Sequence, residues 1–118
     1  MNIRFNDKNV EYNLAAFGIS GIELSFAFAI TYLYKAGVLT LNEIADKMSN
    51  APAKILNLEG GEIVEGGVAD LMIANLNESF IVDPQKFVSK GKNNPFGGYE
   101  LSGVVKYTIV DGEIKYGA

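Results

Sequence analysis

Side-chain chemistry in this sequence would fall to its carboxylates, lysines, serines and tyrosines, because it holds no histidine and no cysteine. That removes the commonest metal ligand, the usual general base, thiolate ligands and disulfides together. Glu62 with Glu65 and Glu11 with Glu23 are paired carboxylates, but no spacing brings either pair into an apolar pocket that would split their pKa values for acid–base work. They read as solvated or capping groups. Asp70, between apolar residues at a strand start, reads as an acceptor for backbone N–H groups of the preceding glycine-rich turn, with a role as a ligand as the alternative. A nucleophilic serine would need lysine or a carboxylate as its base. Gly60-Gly61 and Gly66-Gly67 lack the Gly-Lys-Ser/Thr and the following helix of a phosphate loop. No catalytic constellation and no metal-ligand set is evident. What remains is backbone chemistry in Ala15-Ala-Phe-Gly-Ile-Ser-Gly-Ile-Glu23. There Gly18, without a Cβ, permits a positive φ or a close approach by another molecule. N–H groups at a helix entrance also suit an anion such as a carboxylate.

The elements that would position this loop follow from patterning. Ser20 with Glu23 predicts a capping box, and Ile19 with Leu24 a hydrophobic staple, so a helix starts at about Gly21. From Ile22 to Ala36 that helix is apolar on nearly every face, which requires other structure to cover it. Gly37 ends it. Thr40 with Glu43 repeats the box and Leu39 with Ile44 the staple, predicting a second helix over 41–49. Ala51-Pro52 is expected to break it, because a residue before proline is pushed out of the helical region. A short third helix over 53–58 should follow. Beyond Gly60 the pattern turns extended, with strands at 69–74 and 80–82 separated by a turn at 75–78. A helical turn is expected after Asp83-Pro84, and 90–98 reads as a long loop. The segments 104–110 and 113–116 flank Asp111-Gly112, a dipeptide suited to a two-residue hairpin turn.

Composition bounds the rest. The chain has 118 residues, of which 48% are hydrophobic and 20% charged, which predicts a folded, core-rich chain of single-domain size. A net charge of −4 argues against a nucleic-acid partner. The apolar run 22–34 is too short to span a bilayer, since a spanning helix needs about 20 residues. No basic region precedes an apolar run at the N-terminus, so neither membrane nor export is indicated and a cytoplasmic location is expected. Residues 1–13 read as a ragged lead.

Three motifs together resemble a known family. Phe17-Gly-Ile-Ser-Gly-Ile-Glu23 is similar to the loop and helix start that follows the last barrel strand of bacterial dihydroorotases. Gly61-Glu-Ile-Val-Glu-Gly-Gly-Val-Ala-Asp-Leu-Met-Ile73 resembles a pattern shared across amidohydrolases. The segment from Ser89 to Gly103, followed by Thr108 to Gly112, looks like the dihydroorotase C-terminal signature, and Asn50-Ala-Pro-Ala53 is a variant of a common Asn-Pro-Ala element.

The resemblance implies an α/β fragment. Residues 1–59 would be the last helices of a (β/α)8 TIM-type barrel with its substrate loop, and 60–118 the C-terminal part of a composite β-sandwich. It implies a zinc enzyme, in full-length form, that interconverts dihydroorotate and N-carbamoyl-L-aspartate in pyrimidine biosynthesis. The family's histidine ligands and catalytic aspartate lie upstream of the first motif, so this segment is expected to hold no zinc and to be inactive alone. Phe17 and Gly18 carry over as substrate contacts, made largely through backbone, with Ala16 in place of the family's proline. Its partners would be the remainder of the parent enzyme, with self-association through exposed apolar surface and unpaired strand edges. The alternatives are an allantoinase or dihydropyrimidinase-like cyclic amidohydrolase, or a free-standing, non-catalytic domain that binds a partner such as a transcarbamoylase.

Overall fold

The apolar run after Gly21 forms a helical rod in three unlike pieces. A 3₁₀ turn at Ile22–Leu24 leads into helix α1 (Ser25–Phe28), which continues as a π-helical stretch at Ala29–Tyr34. The computed structural model describes residues 10–15 and 17–117; the proline replacement at Ala16 and the start of the lead segment lie outside them. The capping box expected at the rod's start is not formed. Gly21 occupies the N-cap position without a side-chain bond. Ser20 instead donates its N–H to the Asn93 carbonyl at 2.8 Å, which frees Glu23 to accept from Val88 and Ser89.

The second rod begins as the sequence predicts. At helix α2 (Leu41–Ala45) the Thr40 hydroxyl accepts from Glu43 N–H at 3.3 Å, and the Glu43 carboxylate accepts from Thr40 N–H at 2.8 Å. These bonds, first to the Thr40 backbone and then to its hydroxyl, hold the Glu43 carboxyl below its ordinary value of 4.5. A depressed folded-state pKa contributes stability that is present above the unfolded value and is lost as pH falls through the folded value. Helix α2 is therefore expected to fray on acidification below 4.5. In Glu43→Gln that part of the acid dependence should vanish, as read from the Thr40 and Glu43 amide shifts across a pH titration.

The expected break at Ala51-Pro52 does not occur. A π-helical stretch at Asp46–Asn50 passes directly into helix α3 (Ala51–Leu56), and Asn50 and Ala51 keep right-handed helical angles. In π geometry the bonding partner moves from i−4 to i−5, so the rod can absorb proline's missing N–H and its ring without ending. Asn57, in the left-handed region at φ +53°, ends the rod instead.

Three antiparallel strands follow in the order β1 (Leu71–Ile81), β2 (Glu100–Val110), β3 (Glu113–Gly117). The turn expected at 75–78 is a bulge within a single strand. Between the pairs Asn75↔Val104 and Ser79↔Ser102, β1 uses more residues than β2. The Asn75 side chain takes up the excess, its Oδ1 accepting from Asn77 N–H at 3.1 Å and its Nδ2 donating to Glu78 at 3.3 Å. Asp111-Gly112 forms the expected hairpin turn, with φ of +51° and +76°. The partner of Asp70 is different from the one expected: its carboxylate accepts from Asp111 N–H at 2.7 Å, in the β2–β3 hairpin turn and not from the preceding glycines.

The first rod crosses the sheet. Leu24 and Ala27 bury against Val82 and Leu101, flanked by Phe28, Phe80, Phe87 and Phe96. Ala29 and Ile30 bury against Ile44, flanked by Leu33, Leu39 and Leu76. Thr31 Oγ1 accepts from Ser102 N–H at 2.8 Å and Lys35 donates to the Ser102 hydroxyl at 2.9 Å, tying rod to strand. Much apolar surface is left outside these clusters: Ile22 is 85% exposed, Ile63 87% and Val88 93%. Among the described residues no helix is long and apolar enough to cross a membrane.

Candidate functional site

Phe17 and Gly18 lie where the chain enters the first rod, next to the loop between β1 and β2. The Phe17 side chain is 94% exposed. Gly18 sits at φ +98°, a backbone conformation that favours glycine, so the absence of a Cβ there is required by the turn itself. The structure joins this segment to the loop at 88–94 through five hydrogen bonds. Asn93 provides two of them, donating from Nδ2 to the Gly18 carbonyl at 3.0 Å and accepting Ser20 N–H on its own carbonyl at 2.8 Å. Asn94 Nδ2 donates to the Ser20 carbonyl at 2.5 Å, while its Oδ1 accepts Phe96 N–H at 2.8 Å and closes the local turn. The Glu23 carboxylate takes the last two, from Val88 at 3.0 Å and Ser89 at 2.9 Å.

Below the hydrogen bonds the 88–96 loop is seated by aromatic contacts. The Phe96 ring meets Phe28 of α1 edge-on at 4.6 Å and Tyr99 at 5.6 Å. Two of the sequence motifs, 17–23 and 89–103, therefore meet in space. The sequence alone does not single out Asn93 and Asn94 as the groups that hold this segment, and the partner it predicts for Glu23 differs from the one found. Asn-Asn-Pro signals a turn, but nothing local to it names Gly18 and Ser20 as the groups it serves.

A second concavity, a cleft of about 610 Å³, opens at the other end of the sheet between α2 and the pair Leu71–Ile109. Its walls are mainly Phe26, Ile30, Ile44, Met48 and Leu71, and no residue of 17–20 reaches it. These walls are mostly apolar, with Ser49, Glu62, Asp70 and Thr108 as the polar side chains among them. Among the described residues no three of His, Cys, Asp and Glu stand close enough to hold a metal ion. With histidine and cysteine absent from the sequence, the donor set does not fit a zinc centre within this segment. Glu62 and Asp70 line the cleft, whereas Glu65, Glu11 and Glu23 do not, so neither of the two carboxylate pairs noted in the sequence is brought together there. The arrangement can bind through backbone and position a loop.

The sequence profile of the amidohydrolase family matches residues 17–116. The chain belongs to the amidohydrolase family. Within it, the chain is similar to the dihydroorotase of a Thermoanaerobacter species, 50% identical over 111 residues that make up 94% of this chain and 26% of that protein. It is 44% identical over 114 residues to the dihydroorotase of Streptococcus pneumoniae, covering 96% of this chain and 27% of that one. This amidohydrolase segment thus spans about a quarter of the length of the curated relatives it matches. Among solved structures it superimposes on an L-hydantoinase (dihydropyrimidinase) from Arthrobacter aurescens with a TM-score of 0.82 and 30% identity, covering 88% of this chain and 24% of that one. A D-hydantoinase gives the same TM-score at 16% identity, a likeness of fold alone.

Proposed function

We propose that these residues form the C-terminal part of a cytoplasmic dihydroorotase, with 1–59 closing the barrel and carrying the substrate loop and 60–118 completing a β-sandwich. In that enzyme Phe17 and Gly18 contact dihydroorotate, largely through backbone, while the zinc that activates water is held by residues outside this segment. The observation that carries the reading is the joining of the 17–23 and 89–103 motifs, the two that resemble dihydroorotases most narrowly, by hydrogen bonds into one structure. The 50% identity to a dihydroorotase supports the same choice. The likeness to an L-hydantoinase at 30% identity favours, as a second reading, another cyclic amide as substrate.

A graft tests both. The Thermoanaerobacter dihydroorotase, with its matching quarter replaced by this chain, is expected to hydrolyse dihydroorotate; turnover of hydantoin or dihydrouracil without dihydroorotate would establish the second reading. The 118-residue chain alone, supplied with zinc, is expected to form no N-carbamoyl-aspartate and to self-associate in sedimentation velocity through its exposed apolar surface and outer strand edges. Turnover by the chain alone would overturn the assignment of the metal site to other residues.

A further inference from the structure

The five bonds between the 18–23 and 88–94 segments are more than closing a turn requires; one reaches the Gly18 carbonyl, in the piece of chain assigned above to substrate, and the other four fix Ser20 and Glu23 just after it. We infer that Glu23, Asn93 and Asn94 are positioning residues that hold the Phe17–Gly18 backbone in its binding shape before a cyclic-amide substrate arrives. The inference rests on the dihydroorotase reading and adds to it the groups that make the loop rigid.

The argument is geometric. Residues 17–20 belong to no helix or strand, so by themselves they would sample many conformations and lose that freedom on binding, at a cost in affinity. Asn93 grips both sides of Ile19: its Nδ2 takes the Gly18 carbonyl and its backbone carbonyl takes Ser20 N–H. Asn94 then fixes the Ser20 carbonyl. Among the described residues no peptide bond is cis, and a trans peptide is close to planar. With the Gly18 and Ser20 carbonyls aimed at the 88–94 loop, the N–H groups of Ile19 and Gly21 point the opposite way. A substrate carboxylate or ring carbonyl approaching from that side meets donors already turned towards it. Glu23 acts one step further back. By accepting from two successive amides, Val88 and Ser89, it holds the loop that carries the two asparagines against the start of the first rod.

Two measurements test this, arranged so that the positioning role and the dihydroorotase reading fail separately. In the grafted enzyme, Asn93→Ala and Glu23→Ala are each expected to raise KM for dihydroorotate about tenfold with kcat within about twofold, because a loosened loop weakens substrate and transition state alike. Glu23→Gln keeps one oxygen acceptor and should fall between wild type and alanine. An unchanged KM in an enzyme that turns over dihydroorotate overturns the inference. So does an equal fall in kcat and kcat/KM, which would mean a direct role in the transition state. In the 118-residue chain without substrate, amide hydrogen exchange at Ser20, Val88 and Ser89 should speed at least tenfold in the same variants, while the sheet amides of Tyr107 and Thr108 keep their protection as a control for folding. If the graft turns over no cyclic amide, the dihydroorotase reading is lost, and the exchange result then decides the positioning role. Faster exchange confined to the loop supports it; unchanged exchange removes it.

Discussion

Gly103→Ala is expected to destabilise the chain by about 3–5 kcal/mol, from left-handed backbone strain and overpacking acting together. Gly103 sits inside β2 at φ +98°, opposite the bulge between Asn75 and Ser79. That conformation is open to glycine and strained for alanine. A Cβ placed there would also stand 3.0 Å from both Cβ and Cγ1 of Ile30 and 3.3 Å from Cγ2. Ile30 cannot give way cheaply, because it is 0% exposed and held between Ala29, Ile44 and the strand. The missing side chain is therefore what lets the first rod lie on the sheet at this crossing. The two causes separate in a double-mutant cycle. Ile30→Ala alone costs about 2–5 kcal/mol as a cavity, but in the Gly103→Ala background it removes Cγ1 and Cγ2 from the clash. The pair should thus be less destabilising than the sum of the singles by about 1–2 kcal/mol. Denaturant unfolding followed by far-ultraviolet circular dichroism reads all three variants. A Gly103→Ala protein within about 0.5 kcal/mol of wild type, the range of ordinary surface substitutions, would mean that the rod does not rest there.

What could be read from the sequence was whatever is decided within a few residues. The Thr40–Glu43 box, the Asp83-Pro84 turn and the Asp111-Gly112 hairpin form as expected because each closes on itself. The misreadings share an opposite cause. Ser20 and Glu23 carry the same spacing as Thr40 and Glu43, yet no box forms, because partners some 70 residues away in sequence take both groups. Asn75 to Glu78 has a turn's composition and makes a turn's local bond, but the ladder on both sides overrides it and leaves a bulge. Pro52 signals a break that π geometry absorbs. The site divides in the same way. Gly18 was legible as a residue whose missing Cβ matters, whereas Asn93 and Asn94 were not, since polar loop residues show their partners only after folding. The resemblance to dihydroorotases pointed both 17–23 and 89–103 to one family, but that the two segments join is seen only in the fold.

Leu101→Ala should both weaken the fold and loosen the site. Leu101 is 0% exposed at the start of β2 and packs with Leu24, Ala27 and Val82. Truncation leaves a cavity and costs about 3–5 kcal/mol, towards the upper part of the usual range because so few buried residues share the load. Its position gives the loss a direction. Leu24 lies in the turn just after Glu23, and Phe87 and Phe96, which pack on the same cluster, bracket the loop that bears Asn93 and Asn94. The cluster is thus the floor on which both halves of the hydrogen-bonded loop pair rest. In Leu101→Ala the amides of Val88 and Ser89 should lose exchange protection at denaturant concentrations where those of Thr108 and Ile109, at the other end of the sheet, still keep theirs. Ile55→Ala, at a position 82% exposed in α3, should change neither. If exchange in Leu101→Ala instead rose uniformly across the chain, the loop pair would be no less stable than the sheet, and its order would owe nothing special to this cluster. The selective outcome would mean that a buried apolar side chain outside the loop sets how firmly the 17–20 segment is held, by fixing the surface on which Glu23 and the two asparagines act.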